Sequence, residues 1–147
     1  MFGQIDQRDV VPFREVPDGI FLVKRQSTKI PLADHYGVLV AGRPLSDFGI
    51  HGNEPVIIHR TPDIRAEWAE TTGAWEKVEE VPLHQTQFAV ARALEEFDQP
   101  HYYPLTNNCE HTARYITSGE KKSTQVNGVL WVGLVAFAIW LVNQSDS

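Results

Sequence analysis

The residues best able to do chemistry in this chain surround its only cysteine, Cys109. The cysteine lies in the run Asn107-Asn108-Cys109-Glu110-His111, which follows a turn-like stretch. Asn108 is a preferred N-cap residue, so the pattern predicts a helix whose first turn carries the thiol. The free N–H groups and the dipole at a helix start favour a thiolate, so we expect a nucleophile with a lowered pKa. The alternative is a small buried side chain, the usual fate of a free cysteine.

A cysteine nucleophile needs a base, and imidazole is a common choice. The chain contains six histidines that could supply it: His35, His51, His59, His84, His101 and His111. Glu110 and His111 follow the cysteine on the same predicted helix, where adjacent side chains point in different directions. We therefore interpret these two residues as structural.

Composition indicates a globular domain without a metal or nucleic acid. The chain has 147 residues, of which 42% are hydrophobic and 22% are charged, as expected for one domain. A net charge of −6 and the lack of a basic stripe argue against nucleic acid as the main partner. A single cysteine makes no internal disulfide, and no cysteine pair suggests zinc, so we predict no metal site and no cofactor.

The C-terminal segment is a predicted membrane anchor. From Val126 to Val142 it carries no charge, and a helix that is apolar on every face has little protein to bury it at the end of a small domain. Trp131 and Trp140 lie near its ends, where interfacial aromatic residues belong. Two lysines precede the segment and no Lys or Arg follows it, so the positive-inside rule places the rest of the chain in the cytoplasm.

Hydrophobic periodicity predicts an α+β fold, in which a small antiparallel sheet packs against the helix that carries Cys109. The strand patterns are Ile20–Lys24, His35–Ala41 and Pro55–Arg60, with a further one at Trp75–Val81. The second and third of these are expected to pair as an antiparallel hairpin across a long loop. The helical patterns are Ile64–Glu70, Leu83–Phe97 and Cys109–Ile116, the last ended near Gly119. The helix from Leu83 has an apolar spacing at Phe88, Ala91, Leu94 and Phe97. The predicted division is a domain at 1–125 and a C-terminal anchor helix with its tail at 126–147.

Two stretches resemble the motifs of the lecithin:retinol acyltransferase family, also described as H-box/NC proteins. The run from Asn107 to His111 resembles the family's Asn-Cys-Glu-His-Phe motif, and His35-Tyr36-Gly37-Val38-Leu39-Val40-Ala41-Gly42 is similar to its His-box. Tyr102, Gly119, Ser123 and Gln125 match further parts of the pattern. The family includes small membrane-anchored phospholipases and acyltransferases, and it is a circularly permuted relative of the NlpC-type papain-like peptidases. The resemblance implies the same fold here.

The resemblance also implies a catalytic set. Cys109 matches the nucleophile, His35 matches the general base, and the third member is a second histidine that orients the first. His59 fits this place because it ends a Val-Ile-Ile run, while His51 is nearer to His35 in sequence. We prefer His59, because a strand fixes a ring better than a glycine-flanked loop does. The residues predicted to bind substrate belong to the same motifs: Tyr36, Tyr102 and Asn108.

The implied function is thiol-dependent acyl transfer or hydrolysis on a phospholipid or another acyl ester at a membrane. The chain departs from the motifs at Thr112, where the family has Phe, and in the longer loop between the two histidines. Both departures bear on the choice of substrate more than on the chemistry. Two alternatives remain open: a thiol peptidase or amidase of the papain-like group, and a non-enzymatic membrane or host-interaction module.

Overall fold

One antiparallel sheet organises the chain in its computed structural model, which describes residues 16–27, 33–61, 63–98 and 108–145. The strands of the sheet are β1 (Gly19–Gln26), β2 (Asp34–Ala41), β3 (Val56–Arg60), β4 (Ile64–Trp68) and β5 (Glu76–Glu80). They lie side by side in the order β4-β3-β2-β1-β5. The helices are α1 (Pro44–Asp47), α2 (Thr86–Phe97), α3 (Cys109–Ser118) and α4 (Thr124–Ser145). The prediction of an α+β fold with a C-terminal apolar helix is confirmed.

The two neighbours of β2 pair with it over different lengths. Strand β1 pairs along all of β2, from Gly19 opposite Ala41 to Gln26 opposite Asp34. Strand β3 forms the predicted antiparallel hairpin with β2, but its pairing stops where His59 lies opposite Gly37. The first residues of β2 therefore pair with a strand on one side only, and β3 leaves their other edge unpaired.

Each face of the sheet buries its own apolar cluster. One face packs against α2 and α3 through the even-numbered residues of β2 and β3, such as Val38 and Ile58. The other face carries Leu39 and Ile57 against the buried indole of Trp75. Because side chains alternate along a strand, His35 and His59 belong to the second face, which we call the histidine face.

Two sequence-based predictions of local structure are wrong. Residues 64–68 form strand β4, and the helix predicted at Ile64–Glu70 is reduced to a single 3-10 turn at Ala69–Thr72. Helix α2 exists, but it does not bury the predicted apolar side chains; Phe88, Leu94 and Phe97 are exposed. It turns a different set of residues inward: Ala89, Val90, Ala93 and Glu96.

A buried ionic network explains why α2 faces this way. Arg60, at the end of β3, is fully buried and donates from Nε to Thr112 Oγ1 at 2.9 Å and from its terminal nitrogen to Glu96 Oε2 at 3.3 Å. Lys121 lies 3.0 Å from the other oxygen of Glu96. A buried guanidinium needs a charged partner, so Glu96 must point inward, and the exposed apolar residues follow from that rotation. Thr112 has the hydroxyl that this network uses.

Helix α4 is long and apolar enough to cross a membrane. Its 22 residues extend about 33 Å at the usual rise, close to the ~30 Å of a bilayer core. The window Asn127–Gln144 has a mean hydropathy of 1.4 and none of it is buried against the rest of the chain. The helix begins at Thr124, two residues before the predicted boundary at 126.

Candidate active site

Two histidines and a glutamate form a hydrogen-bonded chain across three strands. Nε2 of His35 on β2 lies 2.8 Å from Nδ1 of His59 on β3. Nε2 of His59 in turn lies 2.5 Å from Oε2 of Glu67 on β4. The strand register explains this contact, because Glu67 pairs with Ile57 and is a diagonal neighbour of His59 on the same face. The structure thus brings together the two histidines that the sequence analysis selected.

The hydrogen-bonding capacities of these groups define the tautomers. With Oε2 of Glu67 as the acceptor, the hydrogen of His59 resides on Nε2. Burial lowers the pKa of His59 although the bond to Glu67 acts in the opposite direction, so the ring is neutral and its Nδ1 is an acceptor. Nε2 of His35 must then donate to it. In the neutral form of His35, Nδ1 is then the nitrogen that carries no hydrogen.

The indole of Trp75 holds both imidazoles in place. Its ring is fully buried, and its centroid lies 5.7 Å from that of His35 and 6.0 Å from that of His59. Gly37 leaves room for this packing, because a Cβ at that position would lie 3.1 Å from Ile57 Cγ2 and 3.2 Å from the indole, which is tighter than an ordinary contact. Arg25 pairs with His35 across β1 and β2 and places its guanidinium carbon 4.8 Å from the Trp75 ring centroid.

Cys109 begins α3, as the sequence predicts. Asn108 is the N-cap, and its side chain accepts a hydrogen bond from the main-chain N–H of His111 at 3.0 Å. The main-chain N–H groups of Tyr36 and Glu110 are the neighbours that most favour the charged form of the Cys109 thiol. Tyr36 follows His35 directly, so the thiol contacts β2 at the residue next to the expected base. This contact uses the edge of β2 that β3 leaves uncovered.

The expectation of a lowered thiol pKa is not met. Burial raises the pKa of Cys109, although the N–H groups of Tyr36 and Glu110 act to lower it. The physical reason is that the first turn of α3 is packed against β2 instead of being open to solvent, and desolvation penalises the charged form. The resting side chain is therefore a neutral thiol, which needs a base to become a nucleophile.

The remaining predicted site residues differ in what they offer. The ring of Tyr36 is buried in the helix-facing core, 5.4 Å from the guanidinium carbon of Arg114, so this residue offers the site its N–H. The side-chain oxygen of Asn108 caps α3. Tyr102 lies outside the described residues. His51 is exposed in the loop between α1 and β3, whereas His59 is buried beside His35.

Glu110 has the structural role that was expected of it. Its carboxylate is fully buried and accepts from Arg114 Nε at 2.9 Å and from the hydroxyl of Ser123 at 2.6 Å. Burial opposes its charge, but the bonds from Ser123, Thr124 and Arg114 outweigh burial and lower the pKa of the carboxyl to about 2. Glu110 is therefore an anion at neutral pH, next to Cys109 in the sequence.

Sequence reasoning missed Glu67 and the contribution of Trp75. The signal for Glu67 was the alternation of Ile64, Ala66 and Trp68 with charged residues, which is a strand pattern that was interpreted as helical. Once β4 is placed beside β3, a carboxylate next to His59 follows from the register. Nothing local in the sequence indicates that Trp75 packs on the histidines, because the contact depends on the course of the chain between β4 and β5.

Comparisons of the chain with protein-family models, with curated proteins and with solved structures find no match.

Proposed function

We propose that this chain is a thiol acyltransferase or phospholipase of the lecithin:retinol acyltransferase type, with a permuted papain-like fold, acting on lipid esters at a membrane surface. One observation carries the proposal. The main-chain N–H of Tyr36 acts on the Cys109 thiol and favours its charged form, and the preceding residue, His35, begins the hydrogen-bonded chain to His59 and Glu67. Nucleophilic acyl chemistry requires a thiol and an oriented imidazole, and here the imidazole belongs to the residue next to the one whose N–H acts on the thiol. The two sequence motifs support the same assignment.

The proposed reaction begins from the neutral thiol. His35 removes the Cys109 proton through Nδ1 as the sulfur attacks the ester carbonyl, and the N–H groups at the start of α3 stabilise the resulting oxyanion. The bond to the alcohol then breaks, and the imidazolium of His35 protonates the departing alkoxide. Water, an amine or an alcohol, deprotonated by His35, attacks the thioester and regenerates the thiol. His59 and Glu67 orient His35 and stabilise its charged form.

The position of α4 favours a lipid ester over a peptide bond. The apolar window of α4 begins at Asn127, about one helical turn after Ser123, which bonds to the carboxylate next to Cys109. No flexible linker separates the anchor from the site. If α4 spans the bilayer, the thiol is held close to the interface, where the ester groups of lipids lie. The two lysines before α4 support a cytoplasmic location for the site.

Intact-mass spectrometry of the full chain tests the proposal. The protein is incubated in mild detergent with mixed phospholipids, and we expect an acyl adduct on Cys109. Cys109→Ala should give no adduct, and His35→Ala should reduce its rate by at least about a hundredfold. His84→Gln is the matched control, since His84 is exposed in the 3-10 turn before α2 and should behave as wild type.

Two results would support the alternatives. Cleavage of amide substrates with indifference to lipid would indicate a thiol peptidase. A Cys109 that forms no adduct with lipid, ester or amide substrates would indicate a module that keeps the fold without catalysis.

A further inference from the structure

The first turn of the apolar helix is bonded directly to the strand that carries the expected base. Gln125 of α4 accepts at Oε1 from the main-chain N–H of Asp34 at 2.9 Å, and its Nε2 donates to the carbonyl of Asp34 at 3.2 Å. This is a two-point contact of the kind that a neighbouring strand makes. It lies on the residue immediately before His35, where β3 no longer pairs with β2.

Side chains from two helices thus complete the exposed edge of β2. Gln125 from α4 bonds Asp34, and the thiol of Cys109 from α3 lies where the N–H of Tyr36 acts on it. Main-chain groups of alternate residues point to the same edge of a strand, so both contacts use one edge, on either side of His35. The main chain of His35 is held between them.

The same helix start is fixed to the helix of the nucleophile. The carboxylate of Glu110 accepts from the main-chain N–H of Thr124 at 3.0 Å and from that of Gln125 at 3.3 Å. These are N–H groups that the first turn of a helix leaves without intrahelical partners, and an anion there also complements the helix dipole. Nε2 of Gln125 also lies 3.5 Å from Glu110 Oε2. Gln125 is therefore the residue that contacts both β2 and α3.

We infer that Gln125 is a positioning residue for His35, which makes the start of the membrane helix a structural part of the catalytic site and not a detachable tether. This inference rests on the proposed function for its catalytic consequence. Its geometric content, that Gln125 sets the position of the His35 imidazole, stands apart from any substrate. The side-chain amide of Gln125 is suited to holding Asp34 in place, because it can donate one hydrogen bond and accept another, as the N–H and carbonyl of Asp34 require.

The test uses the full chain in detergent and replaces Gln125 by Met, which has a similar length and no hydrogen-bonding groups. We expect kcat with an activated ester to fall by about tenfold or more with KM changed less than about twofold, because a displaced base affects the chemical step more than binding. Asn127→Ala is the matched control, because Asn127 is exposed two residues further along α4. Thermal unfolding of each variant establishes that it is folded.

A second variant, Gln125→Glu, gives a signature that a loss of packing would not give. Its carboxylate can accept from Asp34 N–H but cannot donate to the carbonyl, and it lies beside the anion of Glu110. Protonation restores one donor and one acceptor. The rate of this variant relative to wild type should therefore rise as the pH falls from about 8 to about 5, whereas that of Gln125→Met should not change.

A third measurement separates failure of this inference from failure of the proposed function. The titration of the His35 ring, followed by NMR of imidazole nitrogens, should change in Gln125→Met and remain as in wild type in Asn127→Ala. An unchanged titration together with an unchanged kcat overturns the inference even if the wild type is an active acyltransferase. A changed titration in a protein with no acyl activity supports the positioning role and contradicts the proposed function alone.

Discussion

Replacing Glu110 by Gln is expected to weaken the contact between α3 and the start of α4. The carboxyl has its pKa lowered from 4.5 to about 2. At about 1.4 kcal/mol for each pKa unit, this corresponds to about 3 kcal/mol of stability at neutral pH. Glutamine keeps the shape but turns an N–H donor toward the donors of Ser123, Thr124 or Arg114. We expect Glu110→Gln to lose about 2–4 kcal/mol for that reason.

The sign of the pH dependence follows from the direction of the shift. A carboxyl whose pKa is lowered by folding stabilises the protein fully above its unfolded pKa, and this contribution is lost as the pH falls toward its folded pKa of about 2. Of the 3 kcal/mol present at pH 7, only about 1 kcal/mol should remain at pH 3. The difference in stability between wild type and Glu110→Gln should shrink accordingly.

Urea unfolding of the full chain in detergent, at pH 7 and at pH 3, measures this difference. Glu54→Gln is the control, since Glu54 is exposed in the loop before β3 and should have no effect at either pH. Comparing variants at one pH cancels the contribution of every other titrating group. A difference of the same size at both pH values would refute the reasoning, because the stabilisation would then come from packing and not from the charge.

Three further predictions concern the hydrogen-bonded chain and the thiol. His59→Gln should lower the rate of acyl release from an activated ester by about a hundredfold, because His35 loses its orienting partner. His51→Gln should have a rate close to that of wild type. The opposite pattern would show that His51, in the loop, is the histidine that orients His35. Glu67→Gln should lower the same rate by only about tenfold, because an amide oxygen can still accept from Nε2 of His59. A loss of rate as large as that of His59→Gln would show that the charge of Glu67 is essential. Alkylation of Cys109 by iodoacetamide should rise only above roughly pH 8.5, since burial raises the pKa of the thiol; rapid alkylation at pH 6 to 7 would contradict this.

The strands that carry the histidines could be predicted because their patterns are local. β-Branched runs bounded by turn residues mark β2 and β3, and the hairpin between them follows from adjacency. The start of α3 was predictable for a similar reason, since Asn108 caps it by a bond to a residue three positions away. The apolar length of α4 is also a property of one continuous segment.

The features that could not be predicted all depend on contacts distant in sequence. Arg60 decides which face of α2 is buried, because its side chain bonds Glu96 inside the core. The two residues are 36 positions apart in the sequence. The pKa of Cys109 is set by packing against β2, so the helix-start argument gave the wrong direction. The position of a group in a helix predicts how the helix dipole shifts its pKa, but it does not predict how far folding removes the group from solvent.

The incomplete pairing of β2 connects these observations. If β3 paired along all of β2, the N–H of Tyr36 and the peptide group of Asp34 would be occupied by a strand, and neither Cys109 nor Gln125 could bond there. Arg60, the last residue of β3, turns its side chain to the buried carboxylate of Glu96 on α2. A strand edge that would otherwise be a liability thus becomes the place where the start of α3, with Cys109, and the start of α4, with Gln125, meet β2 on either side of His35.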